Sequence, residues 1–277
     1  MRELKQTIIW GLLFVFCICF SVYQLFPSKQ EPLYEEVSTN PTKGVIGWGI
    51  KRNSDGKTPD ADPGAPALLQ KYGALYVGDT TQKTIYLTFD EGYENGYTEK
   101  ILDVLKANNV KAIFFITGDY LEREEALVRR MVEEGHEVGN HTYNHPSFPT
   151  CDKKTMEQEV TSLDKAFQQK FGKTMRFLRP PKGEYNETSL AQTQALGYIN
   201  LFWSFAYADW DVNKQKGTEY AHNMVMENLH NGAVLLLHAV SKDNANALGQ
   251  IIKDAKAQGY QFGTPDDLAA CAKELTV

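Results

Sequence analysis

The sequence predicts an α/β fold in which a parallel sheet, covered by helices, closes into a barrel behind one N-terminal transmembrane helix. From Thr84 onward, short β-rich apolar runs alternate with helix-like segments, a pattern typical of parallel sheets. About seven such units repeat, and this number favours a barrel over an open doubly wound sheet. An uncharged apolar stretch, Thr7–Phe26, predicts the membrane helix.

Residues 1–27 are predicted to form a cytoplasmic N-terminus and a membrane anchor. Arg2 and Lys5 precede the apolar stretch, and this positive flank places the N-terminus in the cytoplasm. The bulky residues Tyr23–Pro27 differ from the small residues of a signal-peptide cleavage site, which favours an uncleaved anchor over a cleaved signal peptide. A buried core helix fits poorly because the stretch has no polar face. We therefore expect a single-pass protein of the cell membrane with an extracytoplasmic body.

Residues 28–43 are polar and contain Pro32 and Pro41, as expected of a linker. Residues 44–277 are predicted to form the catalytic domain. Within that domain the cysteines are Cys151 and Cys271, too few for a disulfide framework or a zinc knuckle. Two free thiols are favoured over a single disulfide bridge.

The charge pattern excludes one class of partner. The formal net charge is -6, and the chain lacks a Lys/Arg-rich run. A mildly acidic body of this kind argues against nucleic acid as a partner. Contact with a glycan is expected to be local and confined to a groove.

The elements follow in order along the chain, and the chemistry of such folds lies on the loops after the C-terminal ends of the strands. The predicted strands are Thr84–Phe89, Ala112–Thr117, Glu137–Asn140, Arg176–Leu178, Ile199–Ser204, Ala233–His238 and a short strand at Tyr260–Phe262. The predicted helices are Ala67–Tyr72, Thr98–Asn108, Glu122–Glu134, Lys154–Phe171, Glu187–Ala195, Thr218–Leu229 and Asn244–Gln258.

Two adjacent carboxylates, Asp90 and Glu91, follow the predicted strand Thr84–Phe89 and precede Gly92. Like charges this close raise one another's pKa, which a bound cation or a catalytic role would relieve. A surface turn is the competing interpretation, because Asp-Glu-Gly turns are common.

Two histidines, His141 and His145, follow the strand Glu137–Asn140. Their i, i+4 spacing presents both rings on one face of a helical turn and can chelate a divalent ion. Two surface histidines in a loop are the alternative. The crowding of three of the six histidines between positions 136 and 145 favours a site, with His136 predicted to be structural.

A third segment, Arg179-Pro180-Pro181-Lys182-Gly183, follows the strand that ends at Leu178. The two prolines fix an extended course, which would hold Arg179 rigidly against a carboxylate. A surface loop in which the prolines simply end the strand is equally compatible with the sequence.

Two further strand ends carry candidate groups. Trp203 and Trp210 flank Asp209, and aromatic rings beside a carboxylate suit either a sugar-binding wall or a core. His238 ends an apolar strand, where a lone histidine is usually structural. Because the other candidates also stand at strand ends, a functional role for His238 is favoured.

In order and spacing, these five segments resemble the polysaccharide deacetylase family, also called the chitooligosaccharide deacetylase homology domain, over about Tyr72–Leu268. Four stretches resemble the delta-lactam-biosynthetic de-N-acetylases of spore-forming bacteria: Gly47–Lys51, Thr84–Asp90, Gly92–Thr98 and Ser241–Ala245. The resemblance implies a distorted (β/α)7-type barrel. It also implies removal of the acetyl group from N-acetylmuramic acid in spore cortex peptidoglycan, a step toward muramic-delta-lactam.

The resemblance assigns roles to individual residues. Asp90 is the implied general base and His238 the general acid. Arg179 orients Asp90, and Asp209 supports His238. The implied cofactor is a divalent metal, zinc above all, held by His141 and His145. The implied substrate-binding residues are Lys182, whose backbone N–H faces the oxyanion, and Trp203, Trp210 and Tyr93.

Two positions depart from the family pattern. Glu91 stands where the family usually has a metal-binding Asp, and its extra methylene moves the carboxylate by about 1.5 Å. Either Glu91 ligates the metal or two histidines and water complete the site. Ala206 stands where the family often has a further acid, so the network that supports His238 is expected to be smaller.

Two other functions remain open from the sequence. One is deacetylation of N-acetylglucosamine in peptidoglycan or in chitin-like oligosaccharides. The other is a wall-glycan-binding module without turnover. A pure binding module has no need of the five retained groups, Asp90, His141, His145, Arg179 and His238.

Overall fold

A curled parallel sheet flanked by helices forms the centre of the protein, which the computed structural model describes from residue 44 to residue 275. The predicted membrane helix and linker lie outside these residues, and the division into anchor, linker and domain stays a prediction. Between residues 44 and 275, no helix is both long and apolar enough to cross a membrane.

The elements match most of the predicted ones in type and position. The strands are β1 Ile46–Gly47, β2 Ile50–Lys51, β3 Asp60–Ala61, β4 Thr84–Glu91, β5 Ala112–Ile116, β6 Glu137–Asn140, β7 Phe177–Leu178, β8 Glu184–Tyr185, β9 Ile199–Asn200, β10 Ala233–His238 and β11 Gln261–Phe262. The helices are α1 Ala65–Lys71, α2 Thr98–Asn108, α3 Gly118–Arg123, α4 Glu125–Glu133, α5 Lys153–Phe171, α6 Glu187–Ala195, α7 Thr218–Met226, α8 Lys242–Ala257 and α9 Pro265–Leu275. Short 3-10 turns occur at Phe148–Thr150 and Pro181–Gly183.

The main sheet has the order β10-β4-β5-β6-β7-β9, and β11 pairs with the beginning of β4. All its pairings are parallel. The carboxyl ends of its strands therefore share one edge. In the register of β4 with β10, Asp90 lies beside His238.

The sheet curls until its outer strands approach each other. Just after β9, Leu201 forms an isolated bridge with Leu75, and Phe205 forms one with Leu235 of β10. The predicted parallel sheet with outer helices is confirmed. Among the described residues, the isolated bridge that joins its two edges is Phe205–Leu235 rather than a continuous ladder, so the sheet is a curled half-barrel and not the fully closed barrel that was predicted.

Apolar side chains cover both faces of the sheet, as expected for buried parallel strands. One cluster lies under the helices and includes Phe89 and Phe114, whose rings stack with centroids 5.2 Å apart. A second cluster, inside the curl, includes Tyr86, Ile113 and Phe115. Successive residues of a strand thus alternate between the two faces. Asp90 and Glu91, which are neighbours in β4, therefore point to opposite faces of the sheet.

The helix α5 shows why these segments fold as they do. Asp152 caps its first turn by accepting the N–H of Thr155 at 2.7 Å. Gly172 ends it with a φ of 67°, a conformation that glycine adopts without strain. The buried side chains between the two caps recur at helical spacing: Met156, Val160, Leu163 and Phe167.

Some sequence predictions of elements were wrong. The helix predicted over Glu122–Glu134 is two helices, α3 and α4, because Glu124 has φ −116° and ψ 33°, outside the helical range. The apolar residues at helical spacing in that segment all lie on α4: Ala126, Leu127, Val128, Met131 and Val132. Helix α9 was not predicted. Both cysteines of the domain, Cys151 and Cys271, are free, as predicted.

Candidate active site

Polar groups meet at the shared carboxyl edge of the sheet. Asp90 is the penultimate residue of β4, and His238 is the last residue of β10. His141 directly follows β6, and Arg179 directly follows β7. The backbone also joins these ends, since the N–H of Arg179 donates to the carbonyl of Asn140 at 3.0 Å. The strand order therefore brings together residues that are far apart in the sequence.

Asp90 and Arg179 form a buried ion pair. Nη1 of Arg179 lies 2.7 Å from Oδ1 of Asp90, and the side chain of Arg179 is fully buried. The guanidinium also donates to the carbonyls of Leu201 and Phe202 at 3.0 and 3.3 Å and lies over the ring of Phe115. Burial acts to raise the pKa of Asp90, but the charges of Arg179 and the nearby histidines outweigh it, and the pKa of Asp90 is lowered. Asp90 is therefore ionised.

The two predicted metal ligands face each other. Nε2 of His141 lies 3.1 Å from Nε2 of His145 and 3.5 Å from Oδ2 of Asp90. Nδ1 of His141 lies 2.8 Å from the carbonyl oxygen of Arg179, so Nδ1 carries the hydrogen and Nε2 a lone pair. Burial lowers the pKa of His141, and burial together with His141 lowers the pKa of His145 to about 4. Both imidazoles are neutral at pH 7.

The geometry that joins these rings differs from the predicted helical turn. The segment after β6 is an irregular loop in which Thr142 and His145 have φ of 69° and 56°. The loop is held from outside: Oδ1 of Asn140 accepts the N–H of Thr142 at 2.9 Å, and Glu159 of α5 accepts both the backbone and the side-chain N–H of Asn144 at 2.7 Å. The two predicted rings meet, but tertiary contacts rather than a helical turn bring them together.

The paired imidazoles fit a divalent metal ion. Two zinc–nitrogen bonds of about 2.0–2.1 Å at a tetrahedral angle separate the nitrogens by about 3.3 Å, close to the observed 3.1 Å. Over residues 44–275 there is no group of three or more His, Cys, Asp or Glu side chains that could hold a metal ion. The donor set that fits is thus two imidazoles, with the remaining positions open to water or substrate.

Glu91 is not brought to the two histidines. Strand alternation turns it away from Asp90, and it is absent from the lining of the cavity beside them. Its carboxyl group is fully buried, and neither oxygen has a hydrogen-bond partner among the described residues. Burial, Glu94 and Asp90 raise the pKa of Glu91 well above its ordinary value, so a neutral carboxylic acid is expected there. The predicted alternative of two histidines completed by water fits this geometry better.

His238 forms a pair with Asp209. Nδ1 of His238 lies 2.7 Å from Oδ1 of Asp209, and the backbone N–H of His238 donates to Oδ2 at 2.8 Å. Burial acts to lower the pKa of His238, but the charge of Asp209 outweighs it and the pKa is raised. The ring also lines the cavity. An imidazole with a raised pKa, which favours its protonated form, therefore faces the space beside Asp90.

An open cavity of about 660 Å³ lies over these groups, and two of the predicted aromatic residues stand at its rim. Tyr93 is 51% exposed and Trp210 is 45% exposed, and both line the cavity. Trp203 does not line it: this side chain packs against Gly183, and its carbonyl accepts the indole N–H of Trp48 at 2.9 Å. Lys182 is exposed outside the lining, in a left-handed conformation with φ 59°.

Several residues that line the cavity were missed from the sequence. They are Thr117, Asp119, Glu122, Tyr143, Asn144 and Val240. The first three belong to α3 and its N-cap and were missed because that helix was not separated from α4. A signal was present, because Thr117 at the end of a predicted strand is a typical N-cap; its Oγ1 accepts the N–H of Tyr120 at 3.3 Å.

An ionised carboxylate, an imidazole with a raised pKa and a pair of neutral imidazoles that fit a metal ion surround one cavity, and such groups serve hydrolysis by acid–base catalysis. On a parallel α/β sheet they define a hydrolase. More specifically, the chain belongs to the polysaccharide deacetylase family, whose sequence pattern matches residues 77–201.

Relatives support this assignment over most of the chain. The peptidoglycan-N-acetylmuramic acid deacetylase PdaA of Bacillus subtilis is 46% identical over 224 residues, which cover 80% of this chain and 85% of PdaA. The structure of PdaA, described as a family 4 carbohydrate esterase, matches with a TM-score of 0.79 and covers 81% of this chain and 97% of that chain.

Two other relatives are less similar to this chain than PdaA is. A family 4 carbohydrate esterase from Bacillus anthracis is 43% identical with a TM-score of 0.68, over 82% of this chain and 97% of that structure. A peptidoglycan-N-acetylglucosamine deacetylase of Bacillus cereus is 31% identical over 210 residues, 74% of this chain and 75% of that protein.

Proposed function

We propose that the protein is a metal-dependent hydrolase that removes the N-acetyl group from N-acetylmuramic acid in peptidoglycan, toward muramic-delta-lactam in the spore cortex. The observation that carries this proposal is the meeting of Asp90, His141, His145 and His238 at one cavity. The choice of muramic acid is supported by the name of the relative that is 46% identical.

Asp90 is the proposed general base. Its Oδ1 is held by Arg179, while its Oδ2 faces the imidazole of His141 at the cavity. A carboxylate kept ionised by a buried guanidinium can take a proton from a water molecule that attacks the acetyl carbon. Arg179 also fixes the rotation of the carboxylate, so its role is to position the base.

His141 and His145 are the proposed ligands of the metal, and we propose zinc. When bound, a divalent ion supplies positive charge that polarises an acetyl carbonyl and lowers the pKa of nearby water. What the chain itself contributes is two neutral imidazoles whose lone pairs converge. Glu91 is omitted from the proposed ligand set because it lies on the other face of β4.

His238 is the proposed general acid. Its Nδ1–H is engaged by Asp209, which leaves Nε2 to carry the proton that the leaving amine needs. Water adds to the acetyl carbon, the carbon–nitrogen bond breaks, and the products are acetate and the free amine of the sugar. Base and acid thus stand on adjacent strands, beside the same bond.

The exposed rings of Tyr93 and Trp210 are the proposed walls for the sugar rings. Such rings offer apolar faces to the CH groups of a glycan. The backbone N–H of Lys182 is the proposed donor to the oxyanion, and its left-handed conformation is the type of strain often found at functional sites.

The proposed setting is the outer face of the cytoplasmic membrane, with Thr7–Phe26 as the anchor. This part rests on the sequence alone. Peptidoglycan is the proposed partner, and the negative charge of the chain disfavours nucleic acid.

The test is the mass of the products. Purified protein with added zinc is incubated with peptidoglycan glycan from which the peptide stems have been removed, and released acetate is measured. Mass spectrometry of the digested glycan then reports which sugar lost its acetyl group. Loss of acetyl groups from muramic acid supports the proposal. Loss from glucosamine alone supports the alternative function, deacetylation of N-acetylglucosamine. If the zinc-loaded protein releases no acetate, the result supports a glycan-binding module without turnover.

A further inference from the structure

Behind the His238–Asp209 pair, hydrogen bonds continue away from the cavity through Asn244 and Tyr207. Asn244 lies in the first turn of α8 and is 2% exposed. Its Nδ2 donates to Oδ2 of Asp209 at 2.5 Å, and its Oδ1 accepts from the hydroxyl of Tyr207. Four side chains thus form one continuous network.

The direction of each hydrogen bond in this network is fixed by chemistry. A carboxylate offers only acceptors, so the amide of Asn244 must turn its NH2 group toward Asp209. Its oxygen then faces Tyr207, whose hydroxyl must donate. Burial, with the charges of Asp209 and Asp243, raises the pKa of Tyr207, so the phenol remains neutral and keeps its hydrogen.

Asn244 completes the set of donors around Asp209. The buried carboxylate accepts from Nδ1 of His238, from the backbone N–H of His238 and from Nδ2 of Asn244. Two of these bonds hold Oδ2, which leaves Oδ1 directed at the imidazole. Without Asn244, one fewer contact would fix the rotation of the carboxylate.

The two segments that carry Asn244 and Asp209 are also joined to each other. Ser241 caps α8 by accepting the N–H of Asn244 at 3.2 Å and donates its hydroxyl to Oε1 of Gln215 at 2.7 Å. Nε2 of Gln215 donates to the backbone carbonyl of Asp209 at 3.0 Å. The position of Asn244 relative to Asp209 is thereby held from both sides.

We propose that Asn244, assisted by Tyr207, is a positioning residue for the acid step. It holds the carboxylate of Asp209 in the rotation that keeps the hydrogen on Nδ1 of His238 and presents Nε2 to the leaving amine. Neither residue touches the cavity, so the effect passes through Asp209. This inference rests on the proposed function for its catalytic consequence, but not for its effect on the imidazole.

The expected direction follows from the groups that face His238. Burial and the charge of Arg179 act to lower its pKa, Asp209 and Asp90 raise it, and His141 lies nearby as a neutral ring. A carboxylate that rotates away from Nδ1 stabilises the imidazolium less, so the pKa of His238 falls. Because the acid must be protonated, the alkaline limb of the pH–rate profile then moves to lower pH.

The experiment compares Asn244→Ala and Tyr207→Phe with the wild type and with a control, Asn200→Ala. Asn200 is an equally buried amide that bonds to Thr193, so its loss has a similar effect on stability. In the purified full-length protein with zinc, kcat, KM and zinc affinity are measured across pH, and the pKa of His238 is followed by NMR.

For Asn244→Ala we expect kcat to fall about 10–100-fold, with unchanged KM and zinc affinity and a lower pKa of His238. Tyr207→Phe, which removes one hydroxyl and keeps the ring, should lower the pKa of His238 by a smaller amount. If Asn244→Ala does not fold, the result for Tyr207→Phe decides whether the network positions the imidazole. Asn200→Ala should shift neither the pKa nor the alkaline limb.

An unchanged pKa of His238 in both variants, or an equal shift in the Asn200→Ala control, overturns the inference. If the wild type releases no acetate, the proposed function fails, and the NMR comparison still decides whether Asn244 positions the imidazole.

Discussion

Asp90 illustrates at the scale of one residue how burial and charge together set the ionisation of a carboxylate. Removing a carboxylate from water favours its protonated form, and the fully buried Arg179 reverses this effect. Arg179 in turn is anchored by two backbone carbonyls. A pair that loses one partner leaves an uncompensated buried charge, which destabilises a protein strongly.

Asp90→Asn should abolish most turnover while metal binding persists. Asparagine keeps the size of the side chain and can still accept from Arg179, but it cannot take a proton at neutral pH. We expect kcat to fall by about 10²–10⁴-fold, with zinc affinity within a few-fold of the wild type. Acetate release and a competition titration with a zinc chelator measure the two quantities. Undiminished acetate release would show that Asp90 is not the base.

Glu91→Gln should flatten the pH dependence of stability. The folded pKa of Glu91 is raised above its unfolded value, so its favourable contribution is complete below about pH 4.3 and is lost as pH rises toward the folded pKa. Each pH unit in that window costs the wild type up to about 1.4 kcal/mol. The neutral variant, measured by urea unfolding, should match the wild type near pH 4 and exceed it in stability at neutral pH.

The same variant separates two roles of Glu91. A buried neutral acid predicts unchanged zinc affinity in Glu91→Gln, because the side chain does not face the histidines. A tenfold or larger loss of zinc affinity would restore Glu91 to the ligand set. Asp243→Asn serves as the control for replacing a buried carboxyl group by an amide away from the two histidines.

At the scale of elements, the loop after β6 shows how neighbours impose a conformation that its own sequence disfavours. Two non-glycine residues with positive φ are costly in isolation. The loop tolerates them because Asn140, Thr142 and Glu159 satisfy its backbone and side-chain N–H groups. Helix α3 closes it from the other side, since the N–H of Gly118 donates to the carbonyl of Tyr143 at 3.0 Å.

Gly118→Ala should weaken metal binding without unfolding the protein. A Cβ at this position would lie 2.7 Å from the ring of Tyr143, so the ring and the loop beside His141 and His145 must move. We expect zinc affinity to fall at least about tenfold and stability to fall by about 1–3 kcal/mol. A zinc titration and thermal unfolding measure both changes.

Gly249→Ala is the matched control for that substitution. Gly249 lies inside α8, and a Cβ there would come no closer than 3.7 Å to Val104. Alanine is the better helix former by about 1 kcal/mol, so this variant should bind zinc normally and be as stable as the wild type or more so. Equal zinc affinity in both variants would contradict the importance of the Tyr143 contact.

At the scale of the whole molecule, a metal held by the proposed ligands His141 and His145 should stabilise the folded state, because the unfolded chain does not hold the two imidazoles together. At a zinc concentration about 100 times the dissociation constant, the gain is about 2.7 kcal/mol. For a domain of this size, the unfolding midpoint should rise by roughly 5–10 °C.

His145→Ala should eliminate this rise, and a chelator should reverse it in the wild type. His222→Ala, which removes a histidine paired with Asp254 on the surface, should leave the rise intact. Thermal unfolding with and without zinc checks all three proteins. A rise of equal size in His145→Ala would place the stabilising metal elsewhere.

Much of the fold was predictable because its causes are local. Alternating apolar runs and helical stripes identified β4, β6, β10, α2 and α6 to within two residues. The predicted boundaries of elements were wrong where contacts with distant segments decide them. The break between α3 and α4 at Glu124 has no proline or glycine to mark it. Strand β9 ends earlier than predicted because Leu201 and Phe205 pair with other segments.

The sequence by itself determined which candidate residues stand at the strand ends, because residue types and their spacing are written in the chain. It named Asp90, His141, His145, Arg179, Asp209 and His238, which the fold brings to one edge of the sheet. Only the tertiary structure decided on which face each group lies and what surrounds it. It turned Glu91 toward the helices, folded the histidine loop through left-handed residues and set Asn244 behind Asp209. The physical reason is that orientation, burial and hydrogen bonding depend on neighbours distant in the chain.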